Sequence, residues 1–571
     1  MVRERLRLLR LFGYAGRPLT VALLVVQVAR ALLPAAQAVA VGALVARPAL
    51  GNVAVVAALF LADQLAWTAF VPLRELVAKR IDGELRAGLR RIATALPTLA
   101  DLESRDFQDR AARVVDAGIG IARERSAGNA ATGQVELMFR MAGAVAAAGV
   151  LATFSVPLAV GLLVVSLVGR AFLRREWLAM IAVLDADTAA QRHEHYVAEQ
   201  AVIGAAKDVR LFGLAGWFTG RFRVAAHRAY GPVYRRMMVA LHRQWWFVLL
   251  AAVTGAAAPG VPAISVLNGD LDPARLVTCV LAGMGVLAIG AMGMEAFDIE
   301  YGLRGVTAYD ELAAMPRRGD GTGSAGEPVI RFEDVVFHYP GTDRPVLDGF
   351  SLTLRPGETV AVVGENGAGK TTFVKLLAGL YRPTSGRVTV GGADSSTVDA
   401  NAWLAVLFQD FVHYPATMWD NITSLTPGDD DAVREALHDA GGHELADRLD
   451  RSLWTEGTGG TDLSGGQWQR VALARALFAI GAGRRVLVLD EPTAHLDVRA
   501  EADFHERVVS RVPETTTTVL ISHRLSTVRP AGRIVLIRDG RVAEDGTHEE
   551  LLALGGDYHR FFTLQAEAFQ R

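Results

Sequence analysis

Residues 364–371 read Gly-Glu-Asn-Gly-Ala-Gly-Lys-Thr, after the β-branched run "VAVVG" (360–364) and before "TFVKLLAGL", whose pattern predicts a helix. Glycines at these places let successive backbone N–H groups turn inward, and the helix adds its positive N-terminal dipole. Such a loop seats an anion with many oxygens, as the phosphates of a nucleoside triphosphate are. Lys370 can reach the β- and γ-phosphates and Thr371 can ligate Mg²⁺, which completes a P-loop in the strand–loop–helix setting it requires. Gly364, Glu365, Asn366, Gly367, Ala368, Gly369 and Thr372 make up the rest of the expected cradle. A second apolar run, "VLVLD" (486–490), ends on Asp490-Glu491. Alone, Asp-Glu after a strand reads as a solvated turn. Beside a P-loop, Asp490 becomes the expected Mg²⁺ carboxylate and Glu491 the group that polarises an attacking water. A second glycine-rich stretch, "TGGTDLSGGQWQR" (458–470), also opens a helical pattern, so the chain carries two loops suited to phosphate.

The elements that position these loops fall into two parts. The chain has 571 residues, 51% of them apolar, and its mean hydropathy of +0.25 comes from the part before about residue 300. A bilayer span needs roughly 20 largely apolar residues. Six stretches qualify: 19–46, 53–78, 133–153, 157–177, 244–267 and 273–297. The loops alternate. Those near Val45–Asn52, Phe154–Pro157 and Leu267–Pro273 are short, whereas 79–132 and 178–243 are long and rich in arginine. The N-terminal "RERLRLLR" is basic too, without a small-residue cleavage site, and reads as an interfacial helix. The positive-inside rule then puts both termini and both long loops in the cytoplasm. A net charge of −2 offers no field for nucleic acid. The single Cys279 falls in the last span and permits no disulfide framework within the chain.

"RRGDGTGSAGE" (317–327) reads as a linker between a membrane domain over 1–316 and an α/β domain over 328–571. In the second, "VAVVG", "VLVLD" and "VLIS" (519–522) are expected as buried parallel strands. "VIRFEDVVFHY" and "FSLTLRPG" are expected as antiparallel strands at the edge, and "IRDGRVAEDG" as an Asp-Gly hairpin.

"LSGGQ" at 463–467 resembles the signature motif of ABC ATPases, and the family's other motifs follow in order. Tyr339 in "FHY" resembles the aromatic that stacks on adenine. Gln409 in "LFQDF" resembles the glutamine that approaches Mg²⁺ and water. Asp497 in "AHLD" resembles the D-loop aspartate, and His523 in "ISHR" the switch histidine at the γ-phosphate. Six spans before one such domain resemble a half-transporter of the ABC exporter type: a membrane α-helical bundle of six transmembrane helices joined to an α/β P-loop ABC ATPase domain. In that family the P-loop of one ATPase domain faces the signature loop of a second. The resemblance therefore implies a dimer holding two ATP molecules with Mg²⁺, in which Ser464, Gly465, Gly466 and Gln467 meet the γ-phosphate on the partner chain. A homodimer is the simpler inference, and a heterodimer with a related half stays open. "DLESRDFQDRAARV" (101–114) and "AKDVRLFGLAGWFTGRF" (206–222) occupy the places of the family's coupling segments.

Two departures from the pattern stand out. Thr458 and Gly459 occupy the place of an acidic residue and arginine upstream of the signature, and Trp468 replaces the arginine common after it. "LSGGQWQ" with "LFQDFVHYPATMWDNI" (407–422) is similar to bacterial transporters of lantibiotics and other modified peptides. The expected activity is ATP-driven export of a peptide or amphipathic molecule across a bacterial plasma membrane. A lipid flippase, a multidrug pump, an exporter-fold importer and a nucleotide-gated sensor or channel are the alternatives. No peptidase domain is expected before the spans, so the leader of an exported peptide is expected to be removed elsewhere or after export. Arg30, Asp63, Glu136 and Arg140 lie in or beside the spans, where ionisable groups are costly. Glu136 and Arg140, at i and i+4, can neutralise each other, and Asp63 with Gln64 can face a cavity or another helix. Glu295, Asp298 and Glu300 are expected at the cytoplasmic end of the last span.

Overall fold

The structure is a computed structural model that describes all residues except 1, 116–125, 186–187, 201–205, 244, 291–292, 294, 318–328, 425, 455–459, 493–503, 505–507 and 571. It divides into two compact units, Met1–Ile92 with Gln108–Met315, and Ala93–Phe107 with Pro316–Arg571. The proposed linker from 318 onward, Thr458, Gly459 and Asp497 lie outside the described residues.

The first unit is helical: α1 (Val2–Arg10), α2 (Phe12–Ala15), α3 (Arg17–Ala46), α4 (Leu50–Thr94), then α5 (Leu99–Glu103), which belongs to the second unit, and α6 (Arg105–Val115). It continues with α7 (Ala127–Ala152), α8 (Val156–Asp185), α9 (Thr188–Glu199), α10 (Ala206–Leu211), α11 (Ala215–Arg243), α12 (Trp245–Leu267), α13 (Pro273–Leu287) and α14 (Glu295–Ala313). Among the described residues five helices, α3, α4, α7, α8 and α12, are long and apolar enough to cross a membrane. The sixth apolar run differs from the expected single span. α13 stops after 15 residues, about 22 Å at 1.5 Å per residue, and Ala288–Gly290 form a turn before α14. Val25, Leu61, Leu65 and Val248 are exposed, as a lipid-facing surface requires. Leu8, Leu23, Ile81 and Ile299 pack inside with no exposed surface to speak of, and Cys279 packs with Ala258, Ala282 and Val286.

The ionic residues near the spans form one connected group. Arg140 reaches Glu136 at 3.1 Å, as the i, i+4 spacing suggests, and also Glu295 at 2.9 Å. Arg170 meets the same Glu295 oxygen at 3.0 Å, and Arg74 lies 3.3 Å from Asp298 and 3.7 Å from Glu136. Glu295 and Asp298 thus turn inward to arginines on other helices, because a buried charge must be paired. The Arg30 guanidinium lies over the rings of Phe70, at 3.8 Å, and Trp67, at 4.7 Å. Asp63 is half-buried and Gln64 exposed.

The second unit contains two sheets. β1 (Ile330–Phe337), β2 (Leu347–Leu354), β4 (Ser385–Val390) and β5 (Ala393–Asp394) form an antiparallel sheet in the order β2-β1-β4-β5. β3 (Thr359–Val363), β6 (Leu404–Leu407), β7 (Val486–Asp490), β8 (Thr517–Ile521), β9 (Arg533–Arg538) and β10 (Arg541–Gly546) form the other, in the order β10-β9-β3-β8-β7-β6. β3, β7 and β8 are parallel and almost fully buried, which is why they read as unbroken apolar runs. The "VIRFEDVVFHY" and "FSLTLRPG" strands, expected at the edge of this sheet, instead pair with each other in the separate antiparallel one, where β1 also pairs with β4. Phe332, Phe350 and Phe373 pack together in the core this creates. The Asp539-Gly540 turn, both residues at positive φ, joins β9 to β10.

Candidate active site

β3 ends at Val363 and the loop turns into α15 (Lys370–Leu377), capped by Gly369 at φ +107°. A Cβ on Gly369 would sit 2.6 Å from Leu347 Cδ2, and one on Gly364 would sit 2.4 Å from the Ile537 carbonyl oxygen, so neither position has room for a side chain. Glu365, Asn366 and Gly367 are exposed at the lip, while Ala368 is half-buried. The Lys370 ammonium donates to the carbonyls of Gly364 at 2.8 Å and Glu365 at 2.9 Å, crossing the loop that would hold phosphate. Burial pulls its pKa down, against the opposing pull of Glu491 and Asp490.

Thr371 donates to Asp490 Oδ2 at 3.3 Å, which joins the first turn of α15 to the end of β7. Burial, then the neighbouring Glu491 charge, pushes the Asp490 carboxyl up to about 6. Thr371, Asp490 and Gln409 supply hard oxygens, the donor type that Mg²⁺ takes alongside phosphate and water. Among the described residues no three His, Cys, Asp or Glu side chains converge as a ready-made metal cage. The set therefore fits a cation that completes its shell from nucleotide and water.

The raised pKa means that the folded chain holds its Asp490 proton more tightly than the unfolded chain. The resulting penalty is full above about pH 6 and disappears as the pH falls to the unfolded value of 3.8. Asp490→Asn, without nucleotide or Mg²⁺, is expected to be more stable than wild type at pH 7.5 by at most about 3 kcal/mol. The gap should close toward pH 4 in thermal unfolding of the full chain, and a pH-independent gap would contradict the assignment.

Glu491 follows β7 at φ +50°, a left-handed conformation that a non-glycine residue adopts at a cost of about 1 kcal/mol or more. Its N–H donates to the Ile521 carbonyl at 2.9 Å. Both carboxylate oxygens have partners: Gln409 Nε2 donates to Oε2 at 3.3 Å, and His523 Nδ1 lies 3.2 Å from Oε1. Gln409, Asp410, Asp490 and Glu491 line a cavity of about 130 Å³ together with Gln469, Leu407, Phe408 and Phe411. Gln469 stands just outside the signature motif at 463–467. It is buried on α19 (Gly465–Gly481), which follows α16 (Ala400–Trp403), α17 (Met418–Thr423) and α18 (Asp430–Asp439), and its Nε2 donates to the backbone carbonyls of Pro492 at 2.7 Å and Glu491 at 3.4 Å. A polar side chain on the inward face of the helix opened by the signature was the available signal.

Tyr339 packs edge-on to Phe337 and Tyr381, and its hydroxyl lies 3.0 Å from Thr372 Oγ1. Ser464 caps α19: its hydroxyl accepts from Gln467 N–H at 3.3 Å, and Gln467 Oε1 accepts from Ser464 N–H at 3.0 Å. Ser464 and Gly465 are exposed, so the first turn of α19 is open to solvent.

Trp468, unusual after the signature, is buried. Its ring stacks on His413 at 4.1 Å with 1° between the planes, and its Nε1 donates to Asp462 at 3.0 Å. That hydrogen bond, with a second from the Leu463 N–H, holds the Asp462 carboxyl below the usual range. Arg475 on the same helix donates to the carbonyl of Asn421 at 2.7 Å and lies over the Tyr414 ring. The two stretches singled out separately in the sequence thus pack on each other. Trp468→Ala should cost about 3–5 kcal/mol, the range for truncating a buried aromatic, read as a lowered Tm of the full chain. Unchanged unfolding would refute the packing role.

In the same unit, α5 is held against the segment that follows α15. Leu99 N–H donates to the Leu380 carbonyl at 2.7 Å, and the Tyr381 hydroxyl donates to Glu103 Oε2 at 2.5 Å. Burial and then the Glu103 carboxylate push the Tyr381 pKa up.

Residues 347–494 match the ABC transporter family model. A solved structure of a bacterial Atm1-family ABC exporter with ATP bound aligns with a TM-score of 0.70 at 24% identity, covering 96% of this chain and 99% of that one. At this identity the likeness shows the fold: an exporter-type helical membrane bundle joined to an ABC ATPase domain. The mycobactin import ATP-binding/permease protein of Mycolicibacterium thermoresistibile is 44% identical over 262 residues, 45% of this chain and 44% of that protein. Its Mycobacterium tuberculosis counterpart is 42% identical over 257 residues, 44% of each chain. The ATP-dependent lipid A-core flippase of Chromohalobacter salexigens is 33% identical over 392 residues, 65% of each chain. The chain thus spans less than half the length of the mycobacterial relatives it matches.

Proposed function

We propose that this chain is one half of an ATP-driven membrane transporter that works as a dimer, with ATP hydrolysis driving alternating access across the bilayer. The observation that carries the reading is the grip on Glu491. Its carboxylate is held by Gln409 and His523, from two other segments, next to the Thr371–Asp490 contact. In this reading Lys370 leaves the loop carbonyls for the β- and γ-phosphates, and the N–H groups of the Gly364–Thr372 loop take the remaining phosphate oxygens. Tyr339 stacks on adenine. Thr371, Asp490 and Gln409 would hold Mg²⁺, which supplies charge neutralisation at the phosphates. Glu491 orients the attacking water and takes its proton, and His523 fixes the carboxylate and contacts the γ-phosphate.

Ser464, Gly465, Gly466 and Gln467 act on the partner's nucleotide. The open first turn of α19 suits this, because a helix N-terminus attracts anions. In the coupling segment 206–222, Leu211 and Phe212 are exposed around the turn at Gly213, which suits docking on the second chain. A homodimer satisfies all of these contacts with one sequence.

The cargo is proposed to be a peptide or another amphipathic molecule, exported from the cytoplasm of a bacterium, with both termini and the ATPase domain on the cytoplasmic side. The test is ATP-dependent accumulation of labelled peptides in inside-out vesicles and in proteoliposomes of known orientation. Accumulation equal with and without ATP would end the reading. Relatives described as a mycobactin importer and a lipid flippase support a second reading, import or lipid flipping on the same architecture. Accumulation on the opposite side, or labelled lipid crossing between leaflets, would establish it.

A further inference from the structure

Within the membrane unit, a cavity of about 210 Å³ lies between α1, α7, α8 and α14. Arg5, Arg170 and Arg174 line its polar side with Gln134, and Leu137 and Met138 belong to its apolar side. Among the described residues that line it, none is acidic. The nearest carboxylates are shared: one Glu295 oxygen serves Arg140 and Arg170, and one Glu300 oxygen serves Arg174 at 2.5 Å and Arg5 at 3.9 Å. The Arg5 contact is beyond hydrogen-bond reach.

Two polar atoms of residues that line this space are buried without a hydrogen-bond partner: Nε of Arg5, a donor, and Oε1 of Gln134, an acceptor. Gln134 is 7% exposed. Each such atom has lost its water and carries that cost unless something meets it. A ligand that satisfies both must accept from a guanidinium and donate to an amide oxygen. An oxyanion with a hydroxyl close by does this, and the apolar wall requires a hydrocarbon portion as well. α1 alternates arginines with the buried Leu8, the pattern of a helix lying at the membrane interface, where lipid headgroups are found.

We propose that this cavity binds the headgroup of an anionic phospholipid that carries a free hydroxyl: the phosphodiester on Arg5, Arg170 and Arg174, the hydroxyl on Gln134 Oε1, and the start of an acyl chain along Leu137 and Met138. The inference concerns the membrane unit alone and goes beyond the transport reading, since it requires neither ATP turnover nor any particular cargo.

The experiment uses the full chain, delipidated in neutral detergent, with phosphatidylglycerol, phosphatidylcholine and inorganic phosphate as probes. Bound lipid is counted by native mass spectrometry and its effect read by thermal unfolding. Phosphatidylglycerol is expected to be retained at one molecule per chain and to raise Tm, whereas the other two probes do neither. Arg5→Gln should weaken retention about tenfold, as loss of one charge-assisted hydrogen bond would. Ala296→Leu, which fills the cavity without touching a charge, should abolish it. Arg5 is 23% exposed and lies 3.9 Å from its carboxylate partner, outside hydrogen-bond reach, so its variant should elute and unfold like wild type when lipid-free. Equal retention of phosphatidylglycerol by wild type and Arg5→Gln, or equal retention of phosphatidylcholine, would overturn the proposal. The same Tm shift from inorganic phosphate alone would reassign the site to a soluble anion and overturn the lipid assignment.

Discussion

Replacing Glu491 by glutamine is expected to slow ATP turnover by a factor of about 10²–10⁴, the usual worth of a positioned general base, while ATP binding survives. The amide has nearly the shape of the carboxylate. It can still meet Gln409, whose Nε2 donates to Oε2 at 3.3 Å, and the backbone of residue 491 keeps its N–H bond to the Ile521 carbonyl. What it loses is the ability to accept a proton from water. Because hydrolysis opens the proposed seam, the variant should accumulate as an ATP-bound dimer. Phosphate release measures the first effect, and light scattering at saturating ATP the second. Glu491→Gln chains that hydrolyse at the wild-type rate, or that stay dissociated at saturating ATP, would contradict the assignment of Glu491 as base. His523 contributes through the same carboxylate, 3.2 Å from Oε1, so its removal should add little to the loss in Glu491→Gln.

Ser464→Arg is expected to abolish turnover while leaving the chain's own P-loop able to bind ATP. The hydroxyl it replaces caps α19, so part of the effect is helix destabilisation of about 1 kcal/mol. That is too small to unfold the domain, because α19 is anchored by buried Trp468, Val471 and Leu473. The larger effect comes from a long cation placed where the partner's γ-phosphate is to dock. Wild-type chains mixed with Ser464→Arg chains provide a second reading. In a mixed dimer one seam keeps an intact signature and the other does not, so ATPase activity should fall in proportion to the variant fraction or more steeply. Normal hydrolysis by Ser464→Arg would show that the signature loop does not act across a dimer seam. ATP binding to the variant, followed with a fluorescent analogue, separates a blocked seam from a misfolded domain.

Much of the proposed nucleotide site is local in sequence, and its strand, turn and helix were legible there. The P-loop is one strand, one turn and one helix, and its glycines are demanded by contacts such as the 2.6 Å approach of a Cβ on Gly369 to Leu347. Buried parallel strands announce themselves as apolar runs, and the Asp-Gly hairpin by its dipeptide. The sheet to which β1 and β2 belong was not legible. Alternation shows that a strand has a buried face but carries no record of its pairing partner, and here β1 pairs with both β2 and β4. The sixth apolar run shows the same limit: hydropathy measures how much of it is apolar, whereas the end of α13 at Leu287 depends on backbone geometry.

The sequence by itself determined the chemistry available to this protein: a phosphate loop ending in Lys370 and Thr371, the Asp490-Glu491 pair, a signature loop, and enough apolar length to cross a membrane. Each resides in a short segment whose residue types admit few other conformations. Only the tertiary structure decided which distant residues hold that chemistry in place. Gln409 and His523 grip Glu491, Gln469 holds the carbonyls behind it, His413 stacks on Trp468, and Glu295 turns inward to Arg140 and Arg170. The physical reason is range. Dihedral preference and periodicity act over a few residues. The pairing of a buried charge or ring is settled by whichever complementary group the fold brings within about 4 Å, and for these side chains that group lies in another segment of the chain.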